Sequence, residues 1–129
     1  REETPRPQRL AIELTDLEKI IHLPEEETRE LRLRIASLRR FGIEVWADDV
    51  HEAILPGLLA CQFYFYGIKI DKHAFWSGRE ERERFLQLAR NCKKLASKVL
   101  IEGIETFGDF ALARASEAEY GQGYLWNKQ

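Results

Sequence analysis

Apolar positions in this chain fall into five short runs, separated by longer stretches with helical spacing. Leu10 to Leu14 reads as a buried strand behind a polar, proline-bearing lead from Arg1 to Gln8. Thr15 and Glu18 have the spacing of a capping box, which predicts a helical turn through Ile21. Pro24 before Glu25, Glu26 and Glu27 predicts a helix start with acids at its positive end. Leu31, Ile35 and Leu38 recur on one face, and Gly42 can end that helix. Ile43 to Asp48 is the next strand. Residues 51 to 61 are apolar, but Pro56-Gly57 predicts a short or broken helix there. Phe63 to Ile70, rich in aromatic and β-branched residues, reads as a strand. Ser77 with Glu80 predicts a second capping box and a helix to about Ser97. Lys98 to Glu102 is a strand, Phe107 to Ala115 an amphipathic helix, and Tyr120 to Trp126 a last strand or strand-like turn.

Strands alternating with helices imply an α/β fold in which a mostly parallel sheet of about five strands is joined by crossover helices. The near-continuous apolar run Lys98-Val99-Leu100-Ile101 fits a strand covered on both faces. These features predict a partial TIM-type (β/α) barrel, whose strands end on one common face, the place where barrel enzymes keep their chemistry. Carboxylates sit where strands give way to loops: Glu13, the pair Asp48-Asp49, and Glu102. A fourth strand ends on Lys69 and Asp71. Several acids and one lysine on one rim suit divalent metals and a phosphate ester.

Composition narrows this little but usefully. A length of 129 residues with 44% hydrophobic and 33% charged content describes about one folded domain. A net charge of −2 gives no electrostatic reason to expect DNA, RNA or an anionic membrane as partner. No signal peptide is evident and no apolar run approaches the roughly 20 residues of a membrane span, so the expected compartment is the cytoplasm. Cys92 shares an apolar helical stripe with Phe85, Leu88 and Ala89, and neither it nor Cys61 belongs to a CxxC pair, so both read as ordinary reduced thiols. The sequence contains no methionine and opens on Arg1-Glu2-Glu3, so it is expected to be a piece of a longer protein.

With the strand ends in view, the chain resembles the EAL family, the cyclic di-GMP phosphodiesterases of bacteria. Glu102-Gly-Ile-Glu105-Thr is similar to the family's E-G-V-E-T, and Tyr120-Gly-Gln122-Gly-Tyr-Leu-Trp-Asn-Lys to its G-x-Q-G-Y-L-F-S-K-P. Gly67-Ile-Lys69-Ile-Asp71 resembles the K-I-D strand, Leu38 to Asp49 the L-R-x-x-G-x-x-x-A-L-D-D approach, and Ile12-Glu13-Leu-Thr-Asp16 the E-L-T-E segment. The resemblance runs in order over residues 1–129, as the C-terminal portion of a divergent EAL domain. It implies that Glu13, Asp48, Asp49 and Glu102 ligate metal or hold water on it. Lys69 would orient or deprotonate the attacking water, which requires a depressed pKa. Glu105 and Gln122 would support that shell. The implied reaction is hydrolysis of one phosphodiester bond, giving a linear dinucleotide, with Mg²⁺ or Mn²⁺ as the metal.

Departures matter as much. The family's Glu-Ala-Leu and its asparagine ligand have no counterpart in this sequence and would precede Arg1. The loop D-D-F-G-T-G-Y-S-S-L is here Asp48-Asp49-Val50-His51-Glu52-Ala53-Ile54-Leu55-Pro56-Gly57, and the second acid of E-L-T-E is Asp16, one methylene shorter. The expectation is a divergent EAL domain that is inactive as this chain. The alternative is a non-catalytic module that senses cyclic di-GMP or grips a regulatory protein. Five strands without the rest of a barrel leave two edges and one face open, which predicts a homo-oligomer or completion by a missing half-barrel.

Ordinary readings stand beside these. Asp49 alone could be a helix N-cap, and Lys69 alone a solvated lysine. His51 more commonly belongs to a surface loop than to a metal. Phe63, Tyr64, Phe65 and Tyr66 could stack on guanine but read as core, Trp126 reads as packing, and the run Arg79 to Arg84 reads as a solvated helix face.

Overall fold

A computed structural model describes residues 10–123 and forms one sheet of five parallel strands. The elements are β1 (Ala11–Leu14), α1 (Leu17–Ile20), α2 (Glu25–Arg40), β2 (Glu44–Val50), α3 (Leu55–Cys61), β3 (Phe65–Ile70), α4 (Lys72–Ser77), α5 (Arg82–Cys92), β4 (Ala96–Glu102), α6 (Phe107–Ala115) and β5 (Tyr120–Gln122). Spatial order equals chain order, β1-β2-β3-β4-β5, as a partial TIM-type barrel requires. The last six residues, and with them the expected strand end at Trp126, lie outside the described residues.

The core lies between sheet and helices. Ala47 and Val50 of β2, Ile68 and Ile70 of β3, and Val99 and Ile101 of β4 are fully buried, and Ile35, Leu58, Phe75, Phe85, Leu88 and Cys92 close over them from the helices. On the other face, Glu13, Trp46, Gly67 and Lys98 stand in one register row across four strands. Trp46 dominates that row. Its indole N–H donates to Glu44 at 3.0 Å, and its ring lies over Gly67, where a Cβ would sit 2.4 Å from ring carbons. Tyr66 meets the ring edge-on at 5.7 Å. A glycine within the strand is therefore the space that the indole occupies.

Three expectations around the helix starts need correction in whole or part. Thr15 and Glu18 form no capping box; α1 starts from Asp16 in the left-handed region (φ 54), with no side-chain cap. The helix expected to be short or broken around Pro56-Gly57 is indeed short: α3 has 7 residues, and Pro56 lies in its first turn, where proline lacks only an N–H that would go unused. Ser77 and Glu80 do not open one long helix. Asp71 caps α4 by accepting from the backbone N–H groups of His73 (3.0 Å) and Ala74 (3.3 Å), while the Ser77 hydroxyl donates to the Ala74 carbonyl at 2.7 Å near the end of α4. Only Arg82 to Arg84 of the run Arg79 to Arg84 are helical, opening α5 after a turn; the run is exposed as expected, but two of its arginines are paired. Arg84 pairs with Glu52 and Glu81, and Arg79 clasps the buried Asp109 through two nitrogens at 2.9 and 2.8 Å.

Asp109 is the most heavily bonded carboxylate described. Its side chain is 1% exposed and also accepts from the backbone N–H groups of Glu105 and Thr106, closing a capping box at the start of α6. Burial pushes its carboxyl up, but the hydrogen bonds from Arg79 and the backbone outweigh that and hold it below the ordinary aspartate range. A depressed folded-state pKa gives stability that is complete above the unfolded value of about 3.9 and lost as pH falls below it. Asp109→Ala should cost roughly 3 kcal/mol, the low end for breaking a buried pair because Arg79 can turn to water. It should also flatten the acid limb of a urea-midpoint against pH curve; an unchanged acid limb would exclude the linkage. Gly67→Ala should cost about 1–3 kcal/mol through overpacking against Trp46. Adding Trp46→Leu should recover part of that loss in the same urea titration.

Candidate metal centre

β2 does not stay regular to its end. Ala47 pairs with Ile68 and Val50 with Ile70, so Asp48 and Asp49 together oppose Lys69 alone. This is a β-bulge, with Asp49 in the left-handed region at φ 54 and the Asp48 carboxylate accepting from the Asp49 N–H at 2.9 Å. Along a regular strand, neighbouring side chains point to opposite faces. The extra residue lets Ala47 and Val50 both turn into the core, each 0% exposed, while both carboxylates reach the rim. Oxygen atoms of Asp48, Asp49 and Glu102 then lie within 4.8 Å of one another.

Glu102 arrives from the end of β4, level with Gln122 of β5. The following Gly103 has φ +92, and the backbone N–H groups of Gly103 and Ile104 donate to the Gln122 carbonyl at 2.8 and 3.0 Å. The Trp76 indole donates to the Gly103 carbonyl at 2.7 Å, so the residue after Glu102 is held from two sides. Lys69 comes from β3 and donates to Glu13 of β1 at 2.8 Å. All these groups stand at the C-terminal ends of parallel strands.

A family model of the EAL domain matches residues 1–129. The chain belongs to the EAL domain family. This is a family of cyclic di-GMP signalling whose domains depend on metal. The comparison with curated proteins returns no match.

The acids of this EAL domain fit a hard divalent cation, which takes carboxylate oxygens and retains water. Burial raises the Asp48 carboxyl, and the charges of Asp49 and Glu13 raise it further. Burial also raises Glu102, with Asp48 and Asp49 adding to the shift. The rim therefore gathers negative charge against its own repulsion, a cost that a cation relieves. Lys69 behaves oppositely to a proton acceptor: its hydrogen bond to Glu13 pulls its pKa up, and burial does not offset this. The depressed lysine expected from the sequence is not found with the protein's own groups alone.

The remaining expected residues are distributed around this cluster. Glu13 is engaged with Lys69 and is not one of the three converging acids. Gln122 and Glu105 line the same rim cavity as Asp49 and Glu102, with Glu105 drawn toward Arg79 at 3.5 Å. His51 stays in its loop, its Nδ1 accepting from the Ala53 N–H at 3.3 Å. Asp49 is not a helix N-cap; Asp71 fills that role on the next strand. Sequence reasoning missed Trp76 and the bulge. The bulge had a signal: Ala47 and Val50, three apart and both apolar, break the alternation of a regular strand.

Asp48→Asn and Glu102→Gln should each weaken Mn²⁺ binding by roughly tenfold or more. Both should also raise the melting temperature in EDTA, because each removes a repelling charge. Since the folded-state pKa values of Asp48 and Glu102 are raised, protons compete with the cation above the ordinary carboxylate range. Mn²⁺ affinity, measured by calorimetry, should therefore go on climbing with pH over the interval just above the ordinary carboxylate range of about 4. Flat affinity over that interval, or variants that bind as wild type, would remove these acids from the site.

Proposed function

We propose that this divergent EAL domain holds cyclic di-GMP through Mg²⁺ or Mn²⁺ on its acid rim and, as this chain, does not hydrolyse it. The observation that carries the reading is the convergence of Asp48, Asp49 and Glu102 within 4.8 Å, made possible by the bulge. When bound, such a cation polarises a phosphoryl oxygen and lowers the pKa of water. The chain's own residues bind and orient. Asp48, Asp49 and Glu102 hold the cation, Glu13 fixes the Lys69 ammonium at the rim, and Gln122 and Glu105 border the space beside them.

Three features support binding without turnover. Lys69, held protonated by Glu13, can donate to a phosphoryl oxygen or a water but is poorly placed to take a proton. The loop after the bulge carries His51 and Ala53 where the family has glycines, and Glu52 ties it to Arg84 at the start of α5. Three carboxylates, moreover, suit one cation better than the pair, about 3.5–4 Å apart, that clamps both oxygens of a displacement.

Calorimetry with cyclic di-GMP and Mn²⁺ should give saturable binding, with no linear dinucleotide on chromatography after prolonged incubation. Glu102→Ala should abolish the binding. Linear product that vanishes in Glu102→Ala would establish an enzyme instead. No affinity for the nucleotide would sink the reading and leave contact with a regulatory protein as the role of the domain.

A further inference from the structure

The rim cavity beside the acids has a second pole. It measures about 530 Å³ and is bounded by Asp49 and Glu102 together with Lys72, Trp76 and Gln122. Lys72 is the first residue of α4, directly after the capping Asp71. Among the described residues no carboxylate lies within ion-pair distance of its ammonium. The nearby arginine is committed, since Arg79 is bonded to Asp109 and Glu105. Lys72 is therefore a cation on the cavity wall with no ion-pair partner among the described residues, in a site otherwise crowded with acids.

Its position is not left to chance. The Lys72 ammonium lies 5.6 Å from the centre of the Trp76 ring, which favours a cation over its π face. Trp76 is itself fixed by its hydrogen bond to the Gly103 carbonyl, by Arg79 at 5.2 Å, and by His73 edge-on at 5.3 Å. A ring engaged in this way serves poorly as a platform for a nucleobase and well as a rest for the lysine. Gly103 makes the approach possible: a Cβ there would lie 2.7 Å from the Lys72 Cβ and 2.8 Å from the indole nitrogen. The sequence places glycine where helix α4 must close on the end of β4.

We infer that Lys72, held by Trp76 against Gly103, is a phosphate clamp that grips a phosphodiester oxygen of the dinucleotide in the cavity that Asp49 and Glu102 also line. The inference rests on the proposed binding of cyclic di-GMP and adds a recognition residue to it. An ammonium is a point donor that suits a phosphoryl oxygen, whereas the acids beside it would repel the same group without their cation. The diester is thus positioned between a cation brought by the acids and a cation supplied by the chain.

The test is calorimetric titration of the full chain with cyclic di-GMP in Mn²⁺, comparing wild type with Lys72→Gln and Lys72→Arg. Lys72 is exposed, so both variants should fold. Lys72→Gln should weaken dinucleotide binding by roughly tenfold, as loss of one charge-assisted hydrogen bond implies. Its affinity for Mn²⁺ alone should stay within a factor of about two, and Lys72→Arg, which keeps the charge but changes its shape, should bind the dinucleotide more tightly than Lys72→Gln. Equal dinucleotide affinity in wild type and Lys72→Gln would overturn the clamp and leave the proposed function standing. A parallel fall in Mn²⁺ affinity would overturn it too, by showing a general disturbance of the acids. Wild type without any dinucleotide binding would remove the function first, and the clamp with it.

Discussion

The alternation of side chains along a β-strand is the constraint around which this rim is organised. Two adjacent aspartates cannot both leave the core on a regular strand. One extra residue at Asp48-Asp49 resolves the conflict, at the cost of a left-handed conformation for a residue that is not glycine. Aspartate tolerates that conformation better than most residues, and the neighbouring Asp48 carboxylate holds the Asp49 backbone there by accepting from its N–H. Ala47 and Val50 remain in the core on either side. The same distortion thus preserves packing beneath the sheet and concentrates charge above it.

A second layer keeps that distortion useful. Trp76 reaches the carbonyl of Gly103, Gln122 receives the N–H groups of Gly103 and Ile104, and Arg79 joins Trp76 to the buried Asp109. Glu102 is consequently set by backbone bonds from two neighbouring elements. The Asp109 network stabilises the start of α6 and also anchors the turn between α4 and α5. Stability and site geometry share these residues, so changes that look remote from the rim can reach it through Gly103.

Charge works in opposite directions at the two centres. At Asp109 a carboxylate is more stable ionised than in water, because donors surround it. At Asp48 and Glu102 ionisation is opposed by burial and by neighbouring acids. The first arrangement holds the fold together, and the second stores repulsion that a divalent cation can relieve. The loop from His51 onward joins the second centre to α5 through Glu52 and Arg84.

Strand order, parallel pairing and the rim acids were legible because each depends on short-range patterning: apolar runs, helical spacing, and acids where the runs stop. Phe107–Ala115 even begins and ends where the apolar spacing places it. What sequence could not decide was which of several competent local signals would be used. Thr15 and Ser77 both offer capping chemistry, but Asp16 and Glu81 hold the N-cap positions of α1 and α5, because strand length and helix packing set where the chain turns. The arginines of residues 79 to 84 were equally ambiguous, since charge alternation cannot reveal a buried partner 30 residues away such as Asp109. The sequence by itself determined that acids and a lysine meet at the ends of parallel strands. Only tertiary structure decided that Asp48 and Asp49 share a face, that Lys69 is held by Glu13, and that Lys72 rests on Trp76, because these outcomes depend on register and on distances between strands and helices far apart in the chain.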